Sequence, residues 1–220
     1  QVVSLKGIVN RYAPVQAINY CFNSVITANA SDFVVGEQVV LIQMKGAQIN
    51  QLNNSGYCDI ANYKNAGNYE VQVIRSISNN EIVFEYAIER QYNPADAVQL
   101  VSLQTYNTAR VDSVVYAKPW DGSSGGVVAI KAQQLTLADS ISVSGLGFRG
   151  ADLLNDVQCF NNGFGGNTDY RCAAGADCGA IKGEGICSNG FAQGRGKNAN
   201  GGGGGNDHNA GGGGGGHGVS

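Results

Sequence analysis

The sequence has few of the residues on which most catalytic and nucleic-acid-binding sites depend. Its 220 residues include two histidines, one tryptophan, one methionine and three prolines, and only 14% are charged. A net charge of −3 offers no basic surface to neutralise a phosphate backbone, so we expect no nucleic-acid partner. Both histidines, His208 and His217, lie in a glycine-rich tail that could not hold a catalytic triad rigidly. The composition therefore disfavours triad-type enzymes.

Long apolar runs are also missing. No stretch approaches the roughly 20 residues that a membrane-spanning helix requires, so we expect no membrane span. The chain begins at Gln1 without a methionine or an apolar leader, which we interpret as a mature terminus left by signal-peptide removal. These features predict a secreted protein at the cell surface.

Glycine, in contrast, is abundant and concentrated. Of 33 glycines, 25 lie between Gly145 and Gly218, including the unbroken runs 201–205 and 211–216. Ordering such backbone costs roughly 1–2 kcal/mol per residue, which close packing of neighbouring backbones can offset. Asn198, Asn200, Asn206 and Asn209 flank or separate the runs and turn readily. We therefore expect the runs to form neighbouring polyglycine helices with three residues per turn.

The cysteine count is even, which favours disulfides in an extracellular protein. Four of the six cysteines fall within 29 residues of loop-like sequence that contains no Cys-x-x-Cys, the spacing typical of zinc sites. We predict three intrachain bridges and leave their connectivity open, although the two cysteines that come first could pair. The predicted disulfide residues are Cys21, Cys58, Cys159, Cys172, Cys178 and Cys187.

The sequence of the first half of the chain predicts β-strands. Residues 39–42 form a short apolar run typical of a buried strand, and 98–101 and 110–116 favour further strands. Two alternating segments, around 69–73 and 82–86, are separated by Ser-Asn-Asn and indicate a hairpin. We predict an all-β fold with a small antiparallel barrel or sandwich.

The spacing of apolar residues changes after residue 119. Short apolar segments between 128 and 143 recur without hairpin turns, as in the rungs of a β-helix. We divide the chain into an N-terminal β domain (1–118), β-helix-like rungs (119–150) and a Cys- and Gly-rich segment (151–220). Ser220 falls within the glycine pattern, so we expect the chain to be part of a longer protein.

Several ordered blocks carry a resemblance to a known group of proteins. They are Asn10-Arg11-Tyr12-Ala13-Pro14, VVLIQMKG at 39–46, Asn65-Ala66-Gly67-Asn68-Tyr69, SVSGLGFRG at 142–150 and Lys182-Gly183-Glu184-Gly185-Ile186 before polyglycine. This series resembles the N-terminal region of large cell-surface adhesins and gliding-motility proteins of Bacteroidota, which are substrates of the type IX secretion system. The resemblance implies adhesion or motility and contact with the secretion machinery. A looser likeness, in composition alone, is to the glycine-rich ectodomain of the anaplastic lymphoma kinase receptor.

Candidate ligand and catalytic residues are sparse. Gly202-Gly203-Gly204-Gly205-Asn206-Asp207 fits the opening of a calcium-binding repeat, which makes Asp207 a calcium candidate, but the second repeat is missing. A pair of carboxylates could serve a glycosidase. The acidic candidates all lie in or beside predicted turns, where aspartate usually bonds the local backbone; they are Asp96, Asp112, Asp121 and Asp139.

Ten tyrosines could supply stacking surfaces for a sugar or a protein partner, with packing as the alternative role. The candidates are Tyr57, Tyr63, Tyr69, Tyr86, Tyr92 and Tyr106. Ser113 and Ser140 each follow an aspartate and precede an apolar residue, the short O-glycosylation signal associated with Bacteroidota.

We interpret the sequence as a non-enzymatic, secreted surface protein that acts as an adhesin or a gliding-associated scaffold. It would bind a surface polysaccharide or protein, need no cofactor, and could self-associate through its glycine-rich segment. The alternatives are an extracellular polysaccharide-degrading β-helix enzyme and a structural subunit of a surface filament. An enzyme would need exposed acidic and basic residues along one sheet face, which residues 127–144 do not provide.

Overall fold

The structure is a computed structural model of the chain. It describes residues 2–153, 169–173, 179–205 and 211–216. This part consists of β-strands, two short 3-10 helices and irregular segments, with no α-helix among the described residues, which confirms the predicted all-β class.

The chain forms two compact units, and neither is continuous in sequence. The first unit comprises residues 1–44 and 67–147, and the second comprises 45–66 and 148–220. An asparagine-rich segment of the second unit is therefore inserted into the first.

The first unit contains ten of the strands and both 3-10 helices of the described chain. The strands are β1 (Val3–Gly7), β2 (Tyr12–Pro14), β3 (Ala17–Asn19), β4 (Ser24–Ile26), β5 (Gln38–Gln43), β8 (Tyr69–Ser78), β9 (Glu81–Phe84), β10 (Val98–Tyr116), β11 (Ile130–Leu137) and β12 (Ile141–Ser142). The 3-10 helices span Ala30–Asp32 and Pro94–Asp96. Two further strands, β6 (Gln48–Ile49) and β7 (Ile60–Asn62), belong to the second unit.

Alternation of side chains explains the antiparallel part of the first unit. In β5, Val39 and Leu41 point inward and are fully buried, and Leu41 pairs with the equally buried Leu100 of β10. The predicted hairpin is confirmed as β8 and β9, and Asn79 at its tip adopts a left-handed conformation (φ 51°) that asparagine tolerates well. Aliphatic and aromatic side chains from these strands form one core.

The sheet does not close on itself. Its strand order is β1-β10-β5-β8-β9-β4-β3, and its two terminal strands do not pair with one another. The predicted closed barrel is therefore wrong for the described part of the chain, and the alternative, a sandwich, stays a prediction. The reason lies in β10, which pairs antiparallel with β5 through residues 98–103 and then parallel with β1 and β11 through residues 104–116. Because β10 changes partners in this way, the sheet extends past β5 instead of closing into a barrel.

A parallel ladder forms where β10 has changed partners. Gln104 pairs with Ile130 and Tyr116 pairs with Ser142, and the offset of 26 residues is constant along β11 and β12. On the other side of β10, Leu5 of β1 pairs with Val111. One repeat of this offset does not make a β-helix, so the predicted rungs over 119–150 remain a prediction.

Two buried amide side chains fix the connection that leads into β11. Gln99, with no exposed surface, accepts a hydrogen bond from the Gly125 N–H (2.8 Å) and donates one to the Gly125 carbonyl (3.0 Å). Asn10 bonds the Ala129 backbone in the same two-way manner and also donates to the Ser102 carbonyl (2.7 Å). Each amide takes the place of a missing backbone ladder, which keeps the turn cluster against β10.

The second unit has a small apolar cluster around Tyr57. The Tyr57 hydroxyl donates to Asn198 Oδ1 (2.8 Å) and accepts from the Phe191 N–H (3.2 Å). The ammonium group of Lys182 lies 4.0 Å from the centre of the Tyr57 ring and donates to the Tyr170 carbonyl (2.7 Å). Burial lowers the pKa of Lys182 to about 8. The Tyr57 ring and the Tyr170 carbonyl stabilise the charge of Lys182, so we assign this lysine a structural role.

Gly201–Gly205, called the glycine core below, is buried at the centre of the second unit. A Cβ atom added at Gly201 to Gly204 would meet different neighbours in turn, and the segment that Gly201 faces recurs at Gly204, three residues on. Gly201 and Gly204 face the segment 180–184, Gly202 faces Gly213, and Gly203 faces Arg195. Glycine is required here because other backbone occupies the space on each side.

The hydrogen bonds of the glycine core have the same period. The N–H groups of Ala180 and Gly183 donate to the carbonyls of Gly205 and Gly202 (2.7 and 2.9 Å). On another side, Gly213 and Gly216 donate to Gly203 and Asn200 (both 2.9 Å). In both pairs, donors three residues apart meet acceptors three residues apart, and the segments run antiparallel. The carbonyl groups of the buried Gly202, Gly203 and Gly205 are thus satisfied without a β-sheet.

Candidate functional site

The outer surface of β5 and β8 is the candidate site in the first unit. Tyr69 and Val71 of β8 point away from the core and are 59% and 46% exposed. Directly across the strands lie Ile42 and Val40, their partners in β5, which are half-buried. Cross-strand partners on one face pack against each other, so these four side chains form a continuous apolar surface.

A second exposed ring lies in the segment that follows β9. The segment that follows β9 runs along β8, and the Glu85 N–H donates to the Val73 carbonyl (2.9 Å). This contact places Glu85 beside Val73, and the next residue, Tyr86, is 62% exposed. We call the outer surface of Val40, Ile42, Tyr69 and Val71, together with the exposed Tyr86 that follows β9, the tyrosine face.

The carboxylate of Glu70 lies next to the tyrosine face in the chain and accepts several hydrogen bonds. Glu70 accepts hydrogen bonds from the N–H groups of Glu89 and Arg90 (3.1 and 3.4 Å) and from the Gln72 side chain (3.1 Å). Burial, followed by the nearby Glu70, raises the pKa of Tyr92 well above its ordinary value, so its hydroxyl is protonated at neutral pH. The hydrogen bonds to Glu70 thus tie residues 89 and 90, which follow Tyr86 in the chain, to β8.

An exposed pair of tyrosines on an aliphatic surface has a definite chemistry. A tyrosine ring offers an apolar face for stacking and a hydroxyl at its edge for hydrogen bonds. Exposed apolar surface of this type marks binding sites for ligands or partners. The C–H faces of sugar rings can stack on such a surface.

The predicted tyrosine candidates separate into two groups. Tyr57 and Tyr92 are buried and Tyr106 is half-buried, so their part is packing, whereas Tyr63, Tyr69 and Tyr86 are exposed. Tyr63 lies in the second unit and does not belong to the tyrosine face. Val40 and Ile42 were not among the predicted site residues. Alternation in β5 is enough to place them on the outer face of the strand, but it does not reveal that they lie beside Tyr69.

The acidic candidates have mainly local partners. Asp121 accepts from the N–H groups of Ser123 and Ser124 (2.8 and 2.9 Å), and Asp139 accepts from the Ser140 N–H (2.7 Å), which confirms the turn role. Asp96 lies in the second 3-10 helix. Asp112 differs, because it lies within β10 and forms an ion pair with Arg110 (2.7 Å).

The cysteine prediction is wrong for three residues. Cys21, Cys58 and Cys187 carry free thiols, whereas Cys172 is disulfide-bonded. Cys58 and Cys187 pack in the apolar cluster around Tyr57, where cysteine acts as a small hydrophobic side chain. Burial raises the pKa of both thiols. Cys159 and Cys178 lie outside the described residues.

The remaining candidates are exposed or lie outside the described part of the chain. Ser113 and Ser140 are exposed, and their glycosylation stays a prediction. The calcium candidate Asp207 and both histidines lie outside the described residues. Among the residues that are described, no three metal-ligating side chains come together, and no helix has the length and apolar character to cross a membrane.

Comparisons with known proteins give limited similarity. No protein-family model matches the sequence, and no curated protein matches it. Among solved structures, the chain is similar to the Gp54 tailspike of Acinetobacter baumannii bacteriophage AP22, described in complex with a capsular saccharide, with a TM-score of 0.33 and 12% identity over 60% of this chain. The chain spans about a fifth of that tailspike, 22% of its length.

Two further structures are less similar. The tailspike protein gp49 from Pseudomonas phage LKA1 gives a TM-score of 0.28 at 12% identity, covering 63% of this chain and 24% of the tailspike. The siderophore-interacting protein SipS from Aeromonas hydrophila gives 0.24 at 9% identity, covering 59% and 72%. Similarity at this level establishes neither a common fold nor a function.

Proposed function

We propose that this chain is a non-enzymatic, extracellular surface protein that binds polysaccharide through the tyrosine face. The supporting observation is that Tyr69 and Tyr86 are exposed beside an aliphatic surface whose backbone is anchored by Glu70. Tyrosine rings bind with little loss of side-chain entropy, because tyrosine has few rotatable bonds. Attachment to a polysaccharide-coated surface is the role that fits this site.

The second unit serves as the scaffold in this proposal. The period of three in the contacts and hydrogen bonds of the glycine core supports the polyglycine-helix conformation expected from sequence. Such packing needs no large apolar core. Among the described residues, none lies within 4 Å of a Cβ added to Gly211 or Gly214, so no described residue covers their side of the segment. Self-association through the glycine-rich segment would use that side.

Binding to soluble polysaccharides tests the proposed function. The panel consists of purified capsular and exopolysaccharides, and affinity electrophoresis followed by calorimetry measures binding. We expect Tyr69→Ala and Tyr86→Ala each to weaken binding roughly 3- to 10-fold, the size of one aromatic contact. Tyr63→Ala, which removes an equally exposed ring from the other unit, serves as the matched control.

Two outcomes would contradict the proposal. Equal binding by Tyr69→Ala, Tyr86→Ala and the parent chain would remove the tyrosine face from consideration. New reducing ends or a fall in viscosity on incubation with a bound polysaccharide would support the enzyme instead.

A further inference from the structure

In the parallel ladder of the first unit, the apolar face is exposed on one outer strand, β11. In its middle strand, β10, Ala109 and Val111 are fully buried. Their partners in β11, Leu135 and Leu137, point to the same face but are 42% and 60% exposed. Ile141, the partner of the buried Val115, is exposed as well. The core face of the ladder thus continues onto β11 without being covered there.

The backbone edge of β11 is open too. Within the described part of the chain, β11 pairs with β10 alone. Natural edge strands are usually protected by charges, prolines or bulges. Residues 132–137 of β11 (Ala-Gln-Gln-Leu-Thr-Leu) contain no charge and no proline. This edge is therefore suited to accept another strand.

The same chain carries a strand that fits this edge. β1 lies on the opposite side of the ladder, runs in the same direction as β11, and likewise pairs with β10 alone among the described strands. Val3 lies in the row of Ala109 and Leu135, and Leu5 lies in the row of Val111 and Leu137. Val3 is 41% exposed. The two free edges belong to one ladder and share its rows.

We propose that β11 binds β1 of a second copy of this chain, in parallel and head to tail. In this arrangement Val3 and Leu5 of the second copy continue the rows of Leu135 and Leu137, and Ser4 continues the row of Thr136. No like charges meet in these three rows, so pairing is not opposed. Each addition leaves a new free β11, and a contact of this heterologous type builds an open assembly rather than a closed dimer.

Cysteine cross-linking between single variants tests the register directly. Val3→Cys and Leu135→Cys are made separately in a Cys21→Ser background and mixed, and diamide is added. Two thiols form one disulfide, and diamide takes up the two electrons and two protons. Within a single chain, β10 separates residues 3 and 135 by about 10 Å, beyond the reach of a disulfide, so each link must join two copies.

We expect the mixture to lose a large share of its monomer to covalent dimer, whereas each variant alone gives no more dimer than the background chain. Val3→Cys mixed with Thr136→Cys, on the other face of β11, is the matched control and should give several-fold less dimer. Dimer from Leu135→Cys alone would show two β11 edges pairing antiparallel and would overturn the head-to-tail contact. An absence of dimer in the mixture would overturn the proposal as a whole.

Sedimentation gives an independent measurement without new thiols. We expect the parent chain to show a rise in mean mass with concentration. Leu135→Lys/Leu137→Lys should shift this association at least tenfold to higher concentration, and Thr136→Ser, which keeps the edge uncharged, should leave it nearly unchanged. Since the substituted side chains are exposed, far-UV circular dichroism should remain that of the parent. A parent chain that is monomeric at every concentration tested would contradict the proposal.

Discussion

Gly204 faces the carbonyl oxygen of Ala180 so closely that an added Cβ atom would overlap it. Both partners are backbone, so no side chain can rotate away to make room. We therefore expect Gly204→Ala to destabilise the second unit by about 3 kcal/mol, at the upper end of the usual range for overpacking. Urea unfolding, followed by hydrogen exchange of the amides in 179–205, measures the loss.

The control for this substitution lies in the other glycine run. Gly214 would have nothing within 4 Å of an added Cβ. Because alanine restricts the unfolded chain more than glycine does, Gly214→Ala should leave stability unchanged or raise it by about 0.4–1 kcal/mol. Equal loss from Gly204→Ala and Gly214→Ala would show that the glycine core is not packed as described.

The Tyr57 hydroxyl provides a second test of the same unit. It donates to Asn198 and accepts from the Phe191 N–H, and the residue is almost fully buried. Tyr57→Phe keeps the ring beside Lys182 but leaves both partners without this bond. We expect a loss of about 1–3 kcal/mol in the free energy of unfolding, measured by urea titration. Tyr63→Phe removes an exposed hydroxyl and should have almost no effect.

A substitution of Gln99 tests how the turn cluster contributes to the stability of the first unit. Gln99→Met conserves the volume of the side chain and removes both hydrogen bonds to the Gly125 backbone. The Gly125 N–H and C=O would then be buried without this partner, and we expect a loss of about 2–4 kcal/mol. Unfolding can be followed by the fluorescence of Trp120, which lies in the adjoining turn cluster. Gln133→Met on the exposed side of β11 is the control, and an equal loss there would dismiss a special role for Gln99.

Glu184 should make the second unit sensitive to acid. Burial alone would raise the pKa of Glu184, but hydrogen bonds from Arg149 and Lys45 outweigh this effect and lower the pKa from 4.5 to about 2. A carboxyl whose pKa is lowered in the folded state stabilises it fully above the unfolded pKa and loses this contribution as the pH falls through the folded pKa. We expect stability to decline between about pH 4.5 and 2, as measured by hydrogen exchange. Glu184→Gln should flatten that part of the profile.

Thiol reactivity checks the cysteine assignments. Since Cys21 is exposed, it should react first with a thiol reagent in the native protein, whereas Cys187 is buried with a raised pKa and should react far more slowly. Under denaturing, non-reducing conditions at least three thiols should be labelled. If no thiol were labelled after denaturation, the result would support the three predicted disulfides instead of the free thiols.

Local patterns were enough to predict the class of the fold and part of its detail. The β8–β9 hairpin followed from alternation and from turn residues at its tip, and the apolar run 39–42 became β5. The course of β10 could not be predicted, because residues 98–101 and 110–116 look like separate strands. Its change from antiparallel to parallel partners depends on which distant strands reach it, and spacing along the chain does not contain that information.

The candidate site was predictable to a similar extent. Tyrosine was recognised as a stacking residue, yet the sequence could not distinguish the buried Tyr92 from the exposed Tyr86. That difference arises from the hydrogen bonds of Glu70, which fix the segment 85–91 along β8. The free thiols of Cys58 and Cys187 were not predicted for a related reason, since a cysteine in an apolar cluster has the same sequence signal as one in a disulfide.

The insertion of residues 45–66 into the first unit has a practical consequence for dissecting the protein. Since the chain passes from one unit to the other at 44/45, 66/67 and 147/148, no single cut yields two intact pieces. A fragment that ends at Gly147 would still carry Ala47 and Tyr57, deprived of the backbone of Ile186 and the side chain of Asn198 that they bond. Clean separation requires replacing 45–66 by a short turn in one product and rejoining 45–66 to residue 148 through a new linker in the other.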